Sequence, residues 1–214
     1  VDRNPVAVEM EGSNGNFTLK VGGYALRFII AKFYLNDPDN FKYLPKLLDE
    51  IETGRKPWCL IFNLTQMMRG GMSFAWFTTD AASGVTAARN DLIARQATSA
   101  RLRDSLNFPF PDINHVWGMA DLGDTFRAPV QTDLPTLFLA GTLDGITPVA
   151  QTREIMQGFS NARLLVVENG GHNSMFRGPG VAQAIANFYA GQTPIETSKM
   201  PTVEFVALVN QKTK

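Results

Sequence analysis

An aspartate and a histidine in the last third of the chain stand in settings suited to acid–base chemistry. Asp144 lies in GTLDGITP and His172 in ENGGHNS, 28 residues apart. A carboxylate beside an imidazole holds the ring in one tautomer and stabilises its protonated form. The other ring nitrogen is then left to serve a nucleophile. Either residue alone reads better as a turn, cap or surface group. Together, each just past a strand, they read as a functional pair. Gly170 and Gly171 offer a backbone able to turn sharply ahead of the histidine.

Other chemistry-bearing residue types are sparse. With two histidines and one cysteine the chain has no metal-site spacing, and His115 in INHVWG has no ligand set near it. Neither G-x-x-x-x-G-K-[ST] nor a convincing G-x-G-x-x-G occurs, so no phosphate loop is expected. No cofactor is implied. Cys59, between Trp58 and Leu60 in an apolar run, reads as a buried structural thiol.

The elements that must position the pair are the most legible part of the chain. PTLFLAG, preceded by proline and closed by glycine, reads as a parallel strand buried on both faces. Pro148 suits the first turn of a helix running to about Gly158. ARLLVVE is the next strand, and VAQAIANFYAG the next helix, with Val181, Ile185, Phe188 and Tyr189 on one face. Strand, helix, strand, helix is the signature of an α/β sheet. Parallel strands joined by a crossover end on the same sheet edge, so Asp144 and His172 should emerge on one rim, where open α/β sheets bind ligands. In the tail, VEFVALV reads either as a late strand or as a docked helix.

Upstream, residues 1–16 are polar and glycine-rich and read as an irregular leading segment. From Phe17 to Gln66 the pattern is helical: Leu26, Ile29, Ile30 and Phe33 share a face, YLPKLLDEIETG ends at a C-cap Gly54, and KPWCLIFNLTQMM follows. MSFAWFTT, short and aromatic, reads as a buried strand with Phe74, Trp76 and Phe77 in the core. Residues 86–105 read as helix, and 106–134, with Trp117, as a long loop. The expected division is a leading segment and helical cap at 1–69 and a core at 70–214.

Bulk properties narrow the partners. Lys plus Arg and Asp plus Glu both number 20, so the net charge is zero and nothing draws the whole chain to nucleic acid or anionic lipid. No stretch approaches the roughly 18 apolar residues of a membrane helix. The opening VDRNPVAVEMEGSNGN lacks the features of a signal peptide. A soluble protein is expected, periplasmic or secreted if an export signal has been removed and otherwise cytoplasmic.

The segment TDLPTLFLAGTLDGITPVAQTREIMQGFSNARLLVVENGGHNS resembles the C-terminal part of α/β-hydrolases of the proline iminopeptidase and tripeptidyl-aminopeptidase-like group. The pattern strand, G-x-x-D-x-x-T-P, helix, strand, G-H matches at Gly141, Asp144, Thr147, Pro148, Gly171 and His172. The helical residues 17–66 resemble the family's cap. The resemblance implies a catalytic triad in the order Ser, Asp, His, with Asp144 and His172 as its second and third members. It also implies hydrolysis of short peptides at the N-terminus, or of small esters.

The family's nucleophile elbow, G-x-S-x-G, does not occur. The expectation is therefore a partial α/β-hydrolase fold: a mostly parallel sheet with helices on both faces plus a helical cap, the early strands missing. The nucleophile would lie in a missing N-terminal half, a companion fragment could supply it, and MSFAWFTT would be an exposed apolar edge. Two alternatives stay open. Ser73, in the near-match G-M-S-F-A, has the right chain order for a self-sufficient hydrolase, although its surroundings read as strand; Ser174 is no better placed. The chain could also be a non-catalytic binding or regulatory remnant.

Overall fold

The computed structural model describes residues 1–13, 15–69, 74–108, 110 and 118–208. They form two compact units, Val1–Ala31 with Glu50–Ala128 and Lys32–Asp49 with Pro129–Lys214. Among the described residues no helix is long and apolar enough to cross a membrane.

The first unit opens with an antiparallel hairpin, β1 (Val6–Gly12) and β2 (Gly15–Val21), paired from Val6↔Val21 to Gly12↔Gly15. Val8 and Met10 are buried while Ala7, Glu9 and Glu11 face outward, the two-residue period of a strand with one face covered. The leading segment is thus regular, not irregular, and Phe17–Val21 is strand rather than helix. Short alternation diluted by Gly, Ser and Asn had hidden it.

Helix α1 (Gly23–Ile29) buries Leu26 and Ile29, and a π-helical turn at Ile30–Tyr34 continues it. Further along, α4 (Trp58–Arg69) packs on β1 and buries Leu60 and Asn63; its Cys59 is half-buried and donates its N–H to Glu50 Oε2 at 2.9 Å. Phe74–Ser83 forms helix α5, not a strand. The hydroxyls of Thr78 and Thr79 donate to the carbonyls of Phe74 and Ala75 one turn back, a bond that strand geometry does not offer. On α5 Phe77 is buried against Phe110 and Ala81, whereas Phe74 is exposed. Among the described residues of this segment, 74–79, the expected apolar strand edge is therefore absent. Helix α6 (Ala87–Ala97) starts at an N-cap Thr86, as the helical pattern of 86–105 predicts, but ends at Ala97 and gives way to turns, so 98–105 is not helix of the same run. Beyond it, α7 (Gly123–Arg127) is tied to the end of α5 by Arg127, which donates to Ser83 O and grips Asp121.

The second unit contains α2 (Pro38–Phe41), most of α3 (Leu44–Glu52) and a three-stranded parallel sheet of order β3-β4-β5. Strand β3 (Thr136–Gly141) leads through α8 (Val149–Met156) to β4 (Ala162–Glu168), in register from Thr136↔Ala162 to Gly141↔Val167. Helix α9 (Val181–Tyr189) follows, and β5 (Thr197–Lys199) adds to the far side of β4. Leu165, Val167, Met175, Val181 and Ala184 form the core, with Leu137, Leu139 and Ile185 against it.

The buried stripe of α9 runs through Val181, Ala184 and Ile185. Tyr189, expected on that face one turn past Ile185, is instead 84% exposed at the last position of the helix. In the tail, residues 201–208 form neither strand nor helix; Phe205 stacks edge-on against Phe41, and Val206 donates its N–H to Lys42 O.

Candidate active site

Both residues of the predicted pair follow parallel neighbours of one sheet. Asp144 comes just after β3 and His172 just after β4. The ladder continues into the loops: Thr142 N–H donates to Val167 O, Leu143 N–H to Gly170 O, and Asn169 N–H to Thr142 Oγ1. Of the residues before the histidine, Asn169 takes the left-handed conformation, at φ +60, while Gly170 and Gly171 do not. Asparagine tolerates that region better than most side chains.

His172 Nδ1 lies 3.0 Å from Asp144 Oδ2. The Asp144 side chain is fully enclosed, and that of His172 is 36% exposed. The carboxylate is otherwise saturated. Its Oδ1 accepts the N–H groups of Ile146 and Thr147 at 2.8 and 3.0 Å, and its Oδ2 accepts the Thr147 hydroxyl at 2.6 Å. Burial alone pushes the Asp144 carboxyl up. It is outweighed by bonds from the Thr147 hydroxyl and N–H, the His172 ring and the Ile146 N–H, which together hold it below the usual carboxylate range.

An ionised carboxylate facing Nδ1 assigns the ring proton to that nitrogen and leaves Nε2 as an acceptor. Thr147 Oγ1, its own proton given to Asp144, also lies 3.3 Å from Nδ1, so the ring N–H meets two oxygens. The arrangement can hold an imidazole in one tautomer, stabilise its charged form and present Nε2 to a proton donor.

The other candidate residues are placed differently. Ser73, His115 and Trp117 lie outside the described residues. Ser174 is fully buried, and its Oγ accepts Gly171 N–H at 2.8 Å, a loop-closing role. Among the described residues no three His, Cys, Asp or Glu side chains gather in a way that could hold a metal ion. An open groove in the same unit, lined by Arg153, Arg163, Glu196 and Thr197, includes neither Asp144 nor His172.

Sequence reasoning matched Thr147 within the motif but assigned it no role. The D-x-x-T spacing holds the signal, since an aspartate in a turn accepts N–H groups two and three residues on. Asp37, which reaches the histidine loop from 137 residues away, had no such local signal.

Residues 115–198 match a family model of the α/β-hydrolases described as TAP-like protein. No curated protein matches the chain. The matched stretch spans β3, α8, β4 and α9 and includes both Asp144 and His172. Over residues 115–198 this chain is therefore similar to α/β-hydrolases of the tripeptidyl aminopeptidase-like kind.

Proposed function

We propose that this chain supplies the acid and the histidine of a serine hydrolase triad, Asp144 and His172. The observation that carries this is the 3.0 Å contact of His172 Nδ1 with a carboxylate whose remaining positions are already filled. Asp144 orients the imidazole and stabilises its charged form. His172 Nε2 takes the proton of an attacking serine hydroxyl and returns it to the leaving amine or alcohol. The likeness to tripeptidyl aminopeptidase-like proteins favours short peptides cleaved near the N-terminus, with small esters as a second substrate class. The placement of a cap within residues 1–69 and a core from residue 70 onward belongs to the same proposal.

The nucleophile serine comes from outside the described residues, either from Ser73 or from a segment that completes the sheet. The state of β3 favours completion. Its edge away from β4 pairs with no strand among the described residues, and its apolar Leu137, Phe138 and Leu139 are only half-buried. Strands added beside β3 would cover that edge, and an elbow serine would come with them.

The test is a fluorophosphonate probe with the adduct mapped by mass spectrometry. It is applied to this chain and to the longest open reading frame that contains it. A serine adduct that vanishes in His172→Ala and in Asp144→Ala supports the proposal, and its position separates Ser73 from an external serine. An adduct indifferent to both substitutions overturns it. With both forms folded, absence of any adduct also overturns it in favour of a non-catalytic binding protein.

A further inference from the structure

The segment Leu35–Asp37 runs across both loops of the pair, within the same compact unit. Its three residues make successive contacts. Leu35 O accepts Gly145 N–H at 2.8 Å, directly beside Asp144, and Asn36 O accepts His172 N–H at 2.6 Å. The Asp37 carboxylate, itself buried, accepts Ser174 N–H at 2.9 Å on Oδ2. Its Oδ1 accepts Asp39 N–H at 3.1 Å and so caps α2.

The approach is close enough to exclude side chains. A Cβ on Gly145 would lie 2.3 Å from Leu35 O, and one on Gly171 would lie 2.5 Å from Pro38 Cδ and 2.6 Å from Asp37 Cα. Gly145 and the motif's Gly171 thus serve contact with this segment. Ser174 completes the link: its N–H goes to Asp37 while its Oγ takes Gly171 N–H, so His172 is bracketed on both sides.

We infer that Asp37 is a positioning residue for His172: through Ser174 N–H and the adjoining Asn36 carbonyl it sets the loop that presents the imidazole to Asp144. A buried carboxylate holding a backbone N–H is a strong, directional bond. Asp37 touches neither the imidazole nor any reacting atom, and acts only through the backbone. The proposal rests on His172 being the general base.

The test is NMR of selectively labelled protein, reading the His172 ring nitrogens and the Nδ1–H proton in wild type, Asp37→Ala, Asp37→Asn and Arg177→Ala. Arg177 bonds Asp39 at the exposed rim of the same junction and serves as the control. In Asp37→Ala the Nδ1–H resonance broadens or disappears and the ring moves toward a mixture of tautomers. Asp37→Asn, which retains one acceptor oxygen and a good capping group, restores part of the wild-type spectrum. Arg177→Ala leaves the ring unchanged.

In a form that turns over an ester, Asp37→Ala lowers kcat by up to about 100-fold with KM held, the scale expected for an ångström-sized misplacement of a catalytic group. Ring resonances identical to wild type in a folded Asp37→Ala overturn the proposal, as does an equal change in Arg177→Ala. Should Asp37→Ala not fold, unchanged resonances in Asp37→Asn overturn it, and failure of both variants to fold assigns Asp37 to the fold instead. The ring signals report position whether or not substrate is hydrolysed, so a failure here is distinct from a failure of the triad proposal.

Discussion

Replacing Thr147 by valine removes one hydroxyl and leaves the shape of the side chain nearly unchanged. That hydroxyl donates to Asp144 Oδ2 at 2.6 Å; the carboxylate is enclosed but Thr147 itself is exposed, so water can take over part of the hydroxyl's role. A hydrogen bond to a charged group contributes about 1.5–3 kcal/mol. With water recovering part of it, the loss is about 1 kcal/mol, and at about 2–4 °C of Tm per kcal/mol for a protein of this size Thr147→Val should melt about 2–4 °C below wild type at neutral pH.

The loss must also depend on pH. The Asp144 carboxyl is held below its ordinary value of 3.8, so its bonds contribute stability that is complete above that value. The contribution is lost as pH falls through the lower folded-state value. The Thr147 hydroxyl is one cause of the lowering, so the gap between wild type and variant should be constant from pH 8 down to about 5 and narrow below about 4. Urea unfolding midpoints at pH 8, 6, 4 and 3 measure it. Thr147→Ser, which keeps the hydroxyl, should regain most of the loss. A variant as stable as wild type at pH 7, or a gap unchanged down to pH 3, would refute the reasoning.

Two further outcomes are expected. Gly145→Ala should cost about 1–3 kcal/mol or more, since the new Cβ meets a backbone carbonyl that must move; a urea midpoint equal to wild type would show that the Leu35 segment yields freely. Leu165→Ala, in the centre of the core of the second unit, should cost about 2–5 kcal/mol, whereas Tyr189→Ser on the same unit's surface should change stability by no more than about 0.5 kcal/mol. Thermal denaturation of the two variants side by side checks which of the two positions the core depends on.

The parts of the fold legible in the sequence were those whose signals are local and long enough. PTLFLAG and ARLLVVE are unbroken apolar runs bounded by turn residues, and Pro148 and Gly191 punctuate the helices after them. The hairpin at Val6–Val21 was not legible, because its two short strands, separated by a polar Gly-Ser-Asn-Gly stretch, bury only alternate residues of one side. The helix Phe74–Ser83 reads as strand for a related reason: an aromatic run with two threonines has no periodicity of its own, and only the packing of Phe77 and Ala81 on Phe110 selects one face. The three residues of β5 gain their strand geometry entirely from β4.

The sequence by itself determined the aspartate, the histidine and the strand–helix–strand unit that returns both to one edge of a sheet, since each of these depends on residues near in the chain. It also determined the D-x-x-T turn that charges the carboxylate with hydrogen bonds, for the same reason. Tertiary structure alone decided what supports the histidine loop. The Ser174 N–H finds its acceptor in Asp37, 137 residues earlier, and the closeness of that approach is what requires glycine at positions 145 and 171. No period or spacing encodes a contact between segments so distant, because it exists only once the chain has folded back upon itself.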